Sequence, residues 1–416
     1  MPAFPRRFVT INGMLAVIGS QARESFFGRA CPGVRMMGVR RLLALTCAMV
    51  LVDTVFYATL VPLVPYFTEE LGLSKSAVGV LSGAFGAGVL LGSAPGGYAA
   101  VRLGVKPTAL AGLILMSATS LLFGFASEAW QLVALRLAAG FGSALSWVAA
   151  FTWLVARVPE ERRGQTIGTL LSAAVAGVIL GPVLGSAAAI LGIRPVFGFL
   201  STVGLAVAVW AWRMPAPGPS PRKGSFVEVF TAVLRPGLAT GLVFIGFSPL
   251  LFGVLSVLAP LELARLGWGA VAIGAVFLVS ALFEAVAHPL FGRWTDRAGY
   301  RPPILAGLLA SFAILVTLPW APSALLIALL VVLTGVAFNA PLVPGTVLFT
   351  RGAEKAGIQG AIAFGATNFA WASGFAAGAF LGGLLADLGG DALPYLSLAA
   401  MCLFALLMLR RLSLST

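Results

Sequence analysis

The chain is a succession of long apolar stretches separated by short polar ones. A hydrocarbon core of ~30 Å needs about 20 apolar helical residues to cross it. Twelve stretches meet that length: 42–67, 76–100, 107–126, 131–156, 165–191, 194–213, 237–260, 269–292, 303–320, 323–348, 358–386 and 391–409. Apolar residues run on continuously in each, without the alternation that marks the strands of a membrane barrel, so the spans are helices. Glycine (50) and proline (25) recur within them. In lipid this is tolerated, because small residues allow close helix contact and neighbours satisfy the backbone groups that proline frees. The pattern predicts an all-α polytopic membrane protein with twelve transmembrane helices.

Composition agrees and narrows the choice. Of 416 residues, 59% are apolar and only 10% charged, with a mean hydropathy of +1.01. A soluble chain carries about 25% charged residues, so this one has too few to cover a water-facing surface. The net charge of +13 suggests nucleic acid, but the basic residues stand singly or in twos and threes between apolar runs, which makes no phosphate-binding stripe. Three scattered cysteines (Cys31, Cys47, Cys402) and one histidine supply neither a disulfide framework nor a metal centre. No P-loop and no G-x-S-x-G elbow is present. An enzyme is not expected, nor a cofactor, nor a nucleic-acid partner.

What the positive charge does is sort by side. Seven Lys/Arg precede residue 42, and the even-numbered connections hold Arg102/Lys106, Arg157/Arg162/Arg163, Arg213/Arg222/Lys223/Arg235, Arg293/Arg297/Arg301 and Arg351/Lys355, with Arg410/Arg411 at the end. That makes twenty-three, against Lys75, Arg194 and Arg265 in the other connections. Because Lys and Arg are retained on the cytoplasmic side, both termini are expected there. Phe8–Ile18 after Arg6/Arg7 looks like a signal peptide, but cleavage would invert the count, so a basic cytoplasmic tail over 1–40 is the expectation. Translation from Met36 or Met37 is an alternative.

The chain also repeats. Shifted by 195 residues it matches itself without gaps: Pro65 meets Pro260, Gly72 meets Gly267, Gly79 meets Gly274, Gly97 meets Gly292, Arg102 meets Arg297, Gly104 meets Gly299, Lys106 meets Arg301, Gly112 meets Gly307 and Gly140 meets Gly335. Two parallel six-helix repeats follow, over 41–213 and 236–410, joined by a polar linker over 214–235 and followed by a short tail over 411–416. Six-helix parallel repeats resemble the architecture of the major facilitator superfamily.

Three further stretches resemble that family's motifs. Gly292-Arg-Trp-Thr-Asp296-Arg297-Ala-Gly299-Tyr-Arg301 is similar to its loop signature G-x-L-A-D-R-x-G-R-R/K. The resemblance implies a latch that holds one access state; a merely solvated turn is the alternative. The first copy keeps Gly97, Arg102, Gly104 and Lys106 but has Val101 in place of the acidic residue. In span four, Leu132-Val-Ala-Leu-Arg136-Leu-Ala-Ala139-Gly140-Phe-Gly142 resembles L-x-x-x-R-x-x-Q-G-x-G, with Ala139 at the glutamine. The likeness implies a part in proton handling for Arg136. An arginine in a span costs ~2.5–3.5 kcal/mol and normally faces a cavity or an acidic group; snorkelling to the outer interface is the other reading. In span five, Gly168, Gly177, Gly181-Pro182 and Gly185-Ser186 resemble the pattern G-x8-G-x3-G-P-x2-G-G of the family's antiporters. Those at 177, 181 and 185 form one close-packing stripe, which Pro182 bends by removing a donor.

Span one, Leu51-Val-Asp53-Thr-Val-Phe-Tyr57-Ala-Thr-Leu-Val-Pro62-Leu-Val-Pro65, resembles the opening helix of drug/proton antiporters. Asp53 lies about eleven residues, or ~16 Å, inside, where a carboxyl can exchange its proton with whichever side is open; a neutral Asp hydrogen-bonded to a helix neighbour is the alternative. Tyr57 shares its face. In span eight, Glu284 and His288 are one turn apart and form a candidate proton relay, with Glu284 the stronger member; a His288 that only fills an interface before Pro289 is the alternative. Glu128 and Glu262 fall at outer ends and are expected to be solvated. Ser248, Asn339 and Asn368 are the other polar candidates, and Trp147, Trp153, Phe338 and Trp371 are available for a cavity wall suited to a bulky apolar substrate.

The resemblance covers residues 40–410 and implies a monomeric drug/proton antiporter in the bilayer of a bacterial-type inner membrane, carrying a small molecule against protons. Asp53, Tyr57, Arg136, Glu284 and His288 would then bind proton or substrate. The glycines of the two loop copies, with Arg102, Asp296, Arg297, Arg301, Gly177, Gly181, Pro182 and Gly185, would gate. A proton-coupled importer on the same fold and a non-transporting receptor are the rivals.

Overall fold

A computed structural model describes residues 36–158, 162–215, 236–356, 358 and 360–414. The tail before residue 36 and most of the linker, with Arg222, Lys223 and Arg235, lie outside the described residues. Twelve helical spans are present: Val39–Leu71, Lys75–Arg102, Val105–Phe123, Ala129–Val155, Gln165–Leu191, Ile193–Arg213, Leu238–Arg265, Ala270–Ala298, Arg301–Trp320, Ala324–Lys355, Gly365–Gly389 and Ala392–Leu409. Each predicted run corresponds to one of them. The eighth runs six residues past its predicted end, because the helix carries on through Arg293–Arg297 once it has left the apolar layer. Connections alternate between two ends. The one holding Arg102, Lys106, Arg157, Arg293, Arg301 and Arg351 is here the basic end, the other the far end.

Proline decides where spans break. Span one is helical over Met36–Ala58, passes through a 3-10 turn at Val61–Leu63, and resumes at Val64–Leu71. Pro62 and Pro65 have no N–H to continue the ladder, and the Thr59 hydroxyl donates to the Val55 carbonyl at 2.6 Å beside the break. Span ten divides similarly into Ala324–Ala337 and Leu342–Lys355, around Pro341. Span five, by contrast, stays helical through Pro182.

The repeat is visible in the backbone. Gly72 and Gly267 have φ of 58° and 84°, and Gly104 and Gly299 have φ of 99° and 81°. At all four an L side chain would be strained, so both copies keep glycine there for the same turn. Gly97 and Gly292 are different. Both lie inside helices with open space where a Cβ would be, so the loop signature needs glycine for the turn only at its second position.

Small residues set the packing within each half. A Cβ on Gly140 would strike the Phe85 backbone, and one on Gly335 would strike the backbone of Ser280, the residue equivalent to Phe85. Between the halves, Gly79 and Gly83 of span two lie against Ala376, Ala379 and Gly383 of span eleven, while Gly274 of span eight lies against Pro182 and Ser186 of span five. Ser186 Oγ also donates to the Ala270 carbonyl at 3.2 Å. These contacts all fall toward the far end. At the basic end of span two Gly97 has open space and Tyr98 is 65% exposed. The described contacts therefore close the halves together at the far end, while span two stands clear at the basic end.

The span-five stripe packs on the break of span one. Cβ atoms at Gly177, Gly181 and Gly185 would meet Leu51 and Thr54, Ala58, and Thr59 and Pro62 respectively, whereas Gly168 has free space. Gly181→Val is accordingly expected to destabilise the protein by about 1–3 kcal/mol or more, the usual cost of overpacking. Gly168→Ala should leave the melting temperature unchanged or slightly raised. Thermal unfolding of the purified variants checks the contrast.

Candidate functional site

Asp53 lies five residues before the end of the first helix of span one and is 3% exposed. Its Oδ2 accepts a 2.5 Å hydrogen bond from the Trp147 indole of span four. Ser143, one turn before Trp147, is also in hydrogen-bonding reach of the carboxyl. Oδ1 has no partner although it is buried. One turn on, the Tyr57 hydroxyl is likewise buried and unpartnered. Its ring meets Phe85 of span two at 5.4 Å, and Trp371 and Phe375 of span eleven at 5.3 and 5.1 Å. Trp371 and Phe375 stack on each other, and Phe375 contacts Phe252 of span seven at 6.3 Å. Both halves thus supply an aromatic floor on the far-end side of Asp53.

Arg136 does not snorkel. It is buried, donating from Nη1 to the Phe56 carbonyl at 3.1 Å and from Nη2 to the Tyr57 carbonyl at 3.4 Å. Its guanidinium lies 4.8 Å above the Phe85 ring. Its hydrogen-bond partners are therefore backbone oxygens at the span-one break.

Glu284 Oε1 and His288 Nε2 are 3.7 Å apart, each side chain about a quarter exposed. Asn339 of span ten is in hydrogen-bonding reach of His288 and accepts from Ser248 Oγ at 3.1 Å. Asn368 Nδ2 is buried without a partner. Trp147 and Trp371 are partly buried, but Trp153 and Phe338 are fully packed inside their own bundles. Packing of a 27-residue span requires large side chains on several faces, and nothing in their spacing marks which face is lined.

At the basic end, Asp296 and Arg297 are exposed, while Arg102 lies over the ring of Tyr98 at 5.5 Å. At the far end Glu128 is exposed and caps span four reciprocally with Gln131. Glu262 is only partly solvated: its Oε2 is buried, and it sits beside Tyr395, Arg265, Asp391 and Lys75. The approach of span twelve, which brings Tyr395, covers it.

Two six-helix halves around a buried, half-satisfied carboxylate define a membrane transporter of the two-bundle kind. Residues 45–373 and 247–415 match the sequence profile of the Major Facilitator Superfamily, and the chain belongs to that family. It is 26% identical over 379 residues to the multi-drug resistance efflux pump PmrA of Streptococcus pneumoniae, covering 85% of this chain and 92% of that one. It is 26% identical over 295 residues to the multidrug resistance protein MdtG of Yersinia enterocolitica, covering 67% and 71%. The match to the MFS-type transporter ppzB of Metarhizium rileyi, 31% over 160 residues, spans only 33% of that protein. Among solved structures, a bacterial homologue of the human lysosomal transporter Spinster, inward-facing and unoccupied, shares the fold with a TM-score of 0.70 at 18% identity, over 91% of this chain and 96% of that one. The nucleoside transporter NupG does so with 0.71 at 13%, over 90% and 99%. The protein is thus a multi-pass membrane transporter and not an enzyme.

Proposed function

We propose that the protein exports a small, largely apolar compound in exchange for protons by alternating access, with both termini cytoplasmic and Asp53 as the coupling group. The observation that carries this reading is the pair of buried, unpartnered oxygens on successive turns of span one, Asp53 Oδ1 and Tyr57 Oη. Buried polar atoms are almost always satisfied, so a pair left open beside an aromatic floor points to a ligand or proton that completes them. The charge bias supports the orientation, and with it the open basic end makes this the inward-facing state. Export is supported by similarity to proteins named as multidrug efflux pumps. Asp53, Tyr57, Arg136, Glu284 and Trp371 all come from one chain, which suits a monomer.

The test is efflux of a fluorescent lipophilic cation from energised cells lacking their own pumps. Efflux is expected, and a protonophore is expected to stop it. Uptake that rises with an inward proton gradient would favour an importer instead. No flux for any member of a substrate panel in proteoliposomes would favour a receptor.

A further inference from the structure

The far end is held by more than helix packing. Asp391, in the turn between spans eleven and twelve, bonds through Oδ1 to Lys75 Nζ of the other half. Through Oδ2 it accepts from Arg265 Nη1 of its own half at 2.7 Å. One turn earlier, Asp387 Oδ2 accepts from the Ser76 backbone N–H at 2.8 Å, in the first turn of span two. Exposed ion pairs contribute little, but this one differs on three counts. The Lys75 and Asp391 side chains are only 21% and 22% exposed. Asp391 serves two cations, one of them from its own half. The positive end of the span-two helix adds to the attraction for both carboxylates.

We propose that Asp391 and Asp387 form a latch on the first turn of span two, with Lys75 as the partner that leaves when the halves rock and Arg265 as the fixed arm that keeps Asp391 aimed. The latch stabilises the state in which the far end is shut. Arg265 and Asp391 belong to the same half, so their bond survives the transition and only the Lys75 and Ser76 contacts are broken. The latch biases the unloaded protein toward the shut far end, whatever the substrate and whether or not protons drive it.

The test reads conformation and not transport, so it succeeds or fails independently of the export reading. Ser82, on span two, is 3% exposed. Ser82→Cys is placed in the full chain with Cys31, Cys47 and Cys402 replaced, and its labelling by a membrane-impermeant maleimide is timed. Glu128→Cys, exposed at the far end, identifies which face of the vesicle the reagent reaches. Lys75→Gln and Asp391→Asn are each expected to speed Ser82→Cys labelling about five- to tenfold, within the range of one coupling interaction. The double variant should label no faster than the faster single. Lys75→Arg, which keeps the pair, should label at the parent rate and shows that the site tolerates change. Unchanged rates in both single variants would overturn the latch. So would effects that multiply in the double variant, or an equal acceleration by Glu128→Gln, which touches no inter-half contact.

Discussion

Asp53→Asn is expected to lower proton-driven export about 5- to 150-fold, the span of a coupling free energy of ~1–3 kcal/mol, while the protein stays folded. The amide has the size of the carboxyl and still offers an oxygen to the Trp147 indole, so the 2.5 Å contact persists in altered strength. What is lost is the ability to take and release a proton at Oδ1, the oxygen that has no partner in this state. Exchange of substrate for substrate across a vesicle membrane needs no net proton movement. It is therefore expected to continue in the variant, and measuring both reactions separates coupling from binding. Loss of exchange as well as export would make Asp53 a substrate ligand. Undiminished export would remove Asp53 from the coupling scheme and leave Glu284, partly buried in the opposite half beside His288, as the next candidate carboxyl.

Much of the fold was legible because its largest energies are one-dimensional. Bilayer thickness converts an apolar run into a span, and a repeat converts twelve spans into two bundles. Gly104 and Gly299 show the repeat reaching down to single φ angles. The candidate site was legible only in part, because rotation of each helix about its axis decides which side chains meet. Asp53 and Tyr57 follow from depth and spacing on one helix. Their partners are on other helices: Trp147, readable only as a wall aromatic, is the donor to Asp53, and Phe85 and Phe375 had no signal beyond being apolar. Glu262 looked like a loop residue because its cover, Tyr395, comes from a span more than a hundred residues on. The Lys75–Asp391 pair is joined by neither spacing nor motif. Arg136 was noticed for its position in lipid, yet its hydrogen-bond partners are carbonyls, which a sequence does not display.

That arrangement of Arg136 leads to the second large effect, on Arg136→Lys and Arg136→Met together. Hydrogen bonds to charged groups are worth ~1.5–3 kcal/mol each, and a charge in a span costs ~2.5–3.5 kcal/mol on insertion scales. In Arg136→Met the two bonds, together about 3–6 kcal/mol, are lost while a charge cost of ~2.5–3.5 kcal/mol disappears, so a net loss of up to about 3 kcal/mol is expected. In Arg136→Lys the charge cost remains, while an ammonium replaces the planar fork that reaches Phe56 and Tyr57 together and stacks on Phe85. Lysine should therefore also be less stable than the parent, by about 1.5–3 kcal/mol, so stability does not separate the two variants and export is the deciding readout. Both variants are expected to lose most export, because both release the span-one break that sets the direction of Tyr57, one turn beyond Asp53. A role in which Arg136 merely supplies positive charge predicts the reverse, with lysine active and methionine not. Thermal unfolding and efflux of the two variants, measured on the same preparations, decide between a brace and a charge: parent-level export by Arg136→Lys would show that the brace is unnecessary.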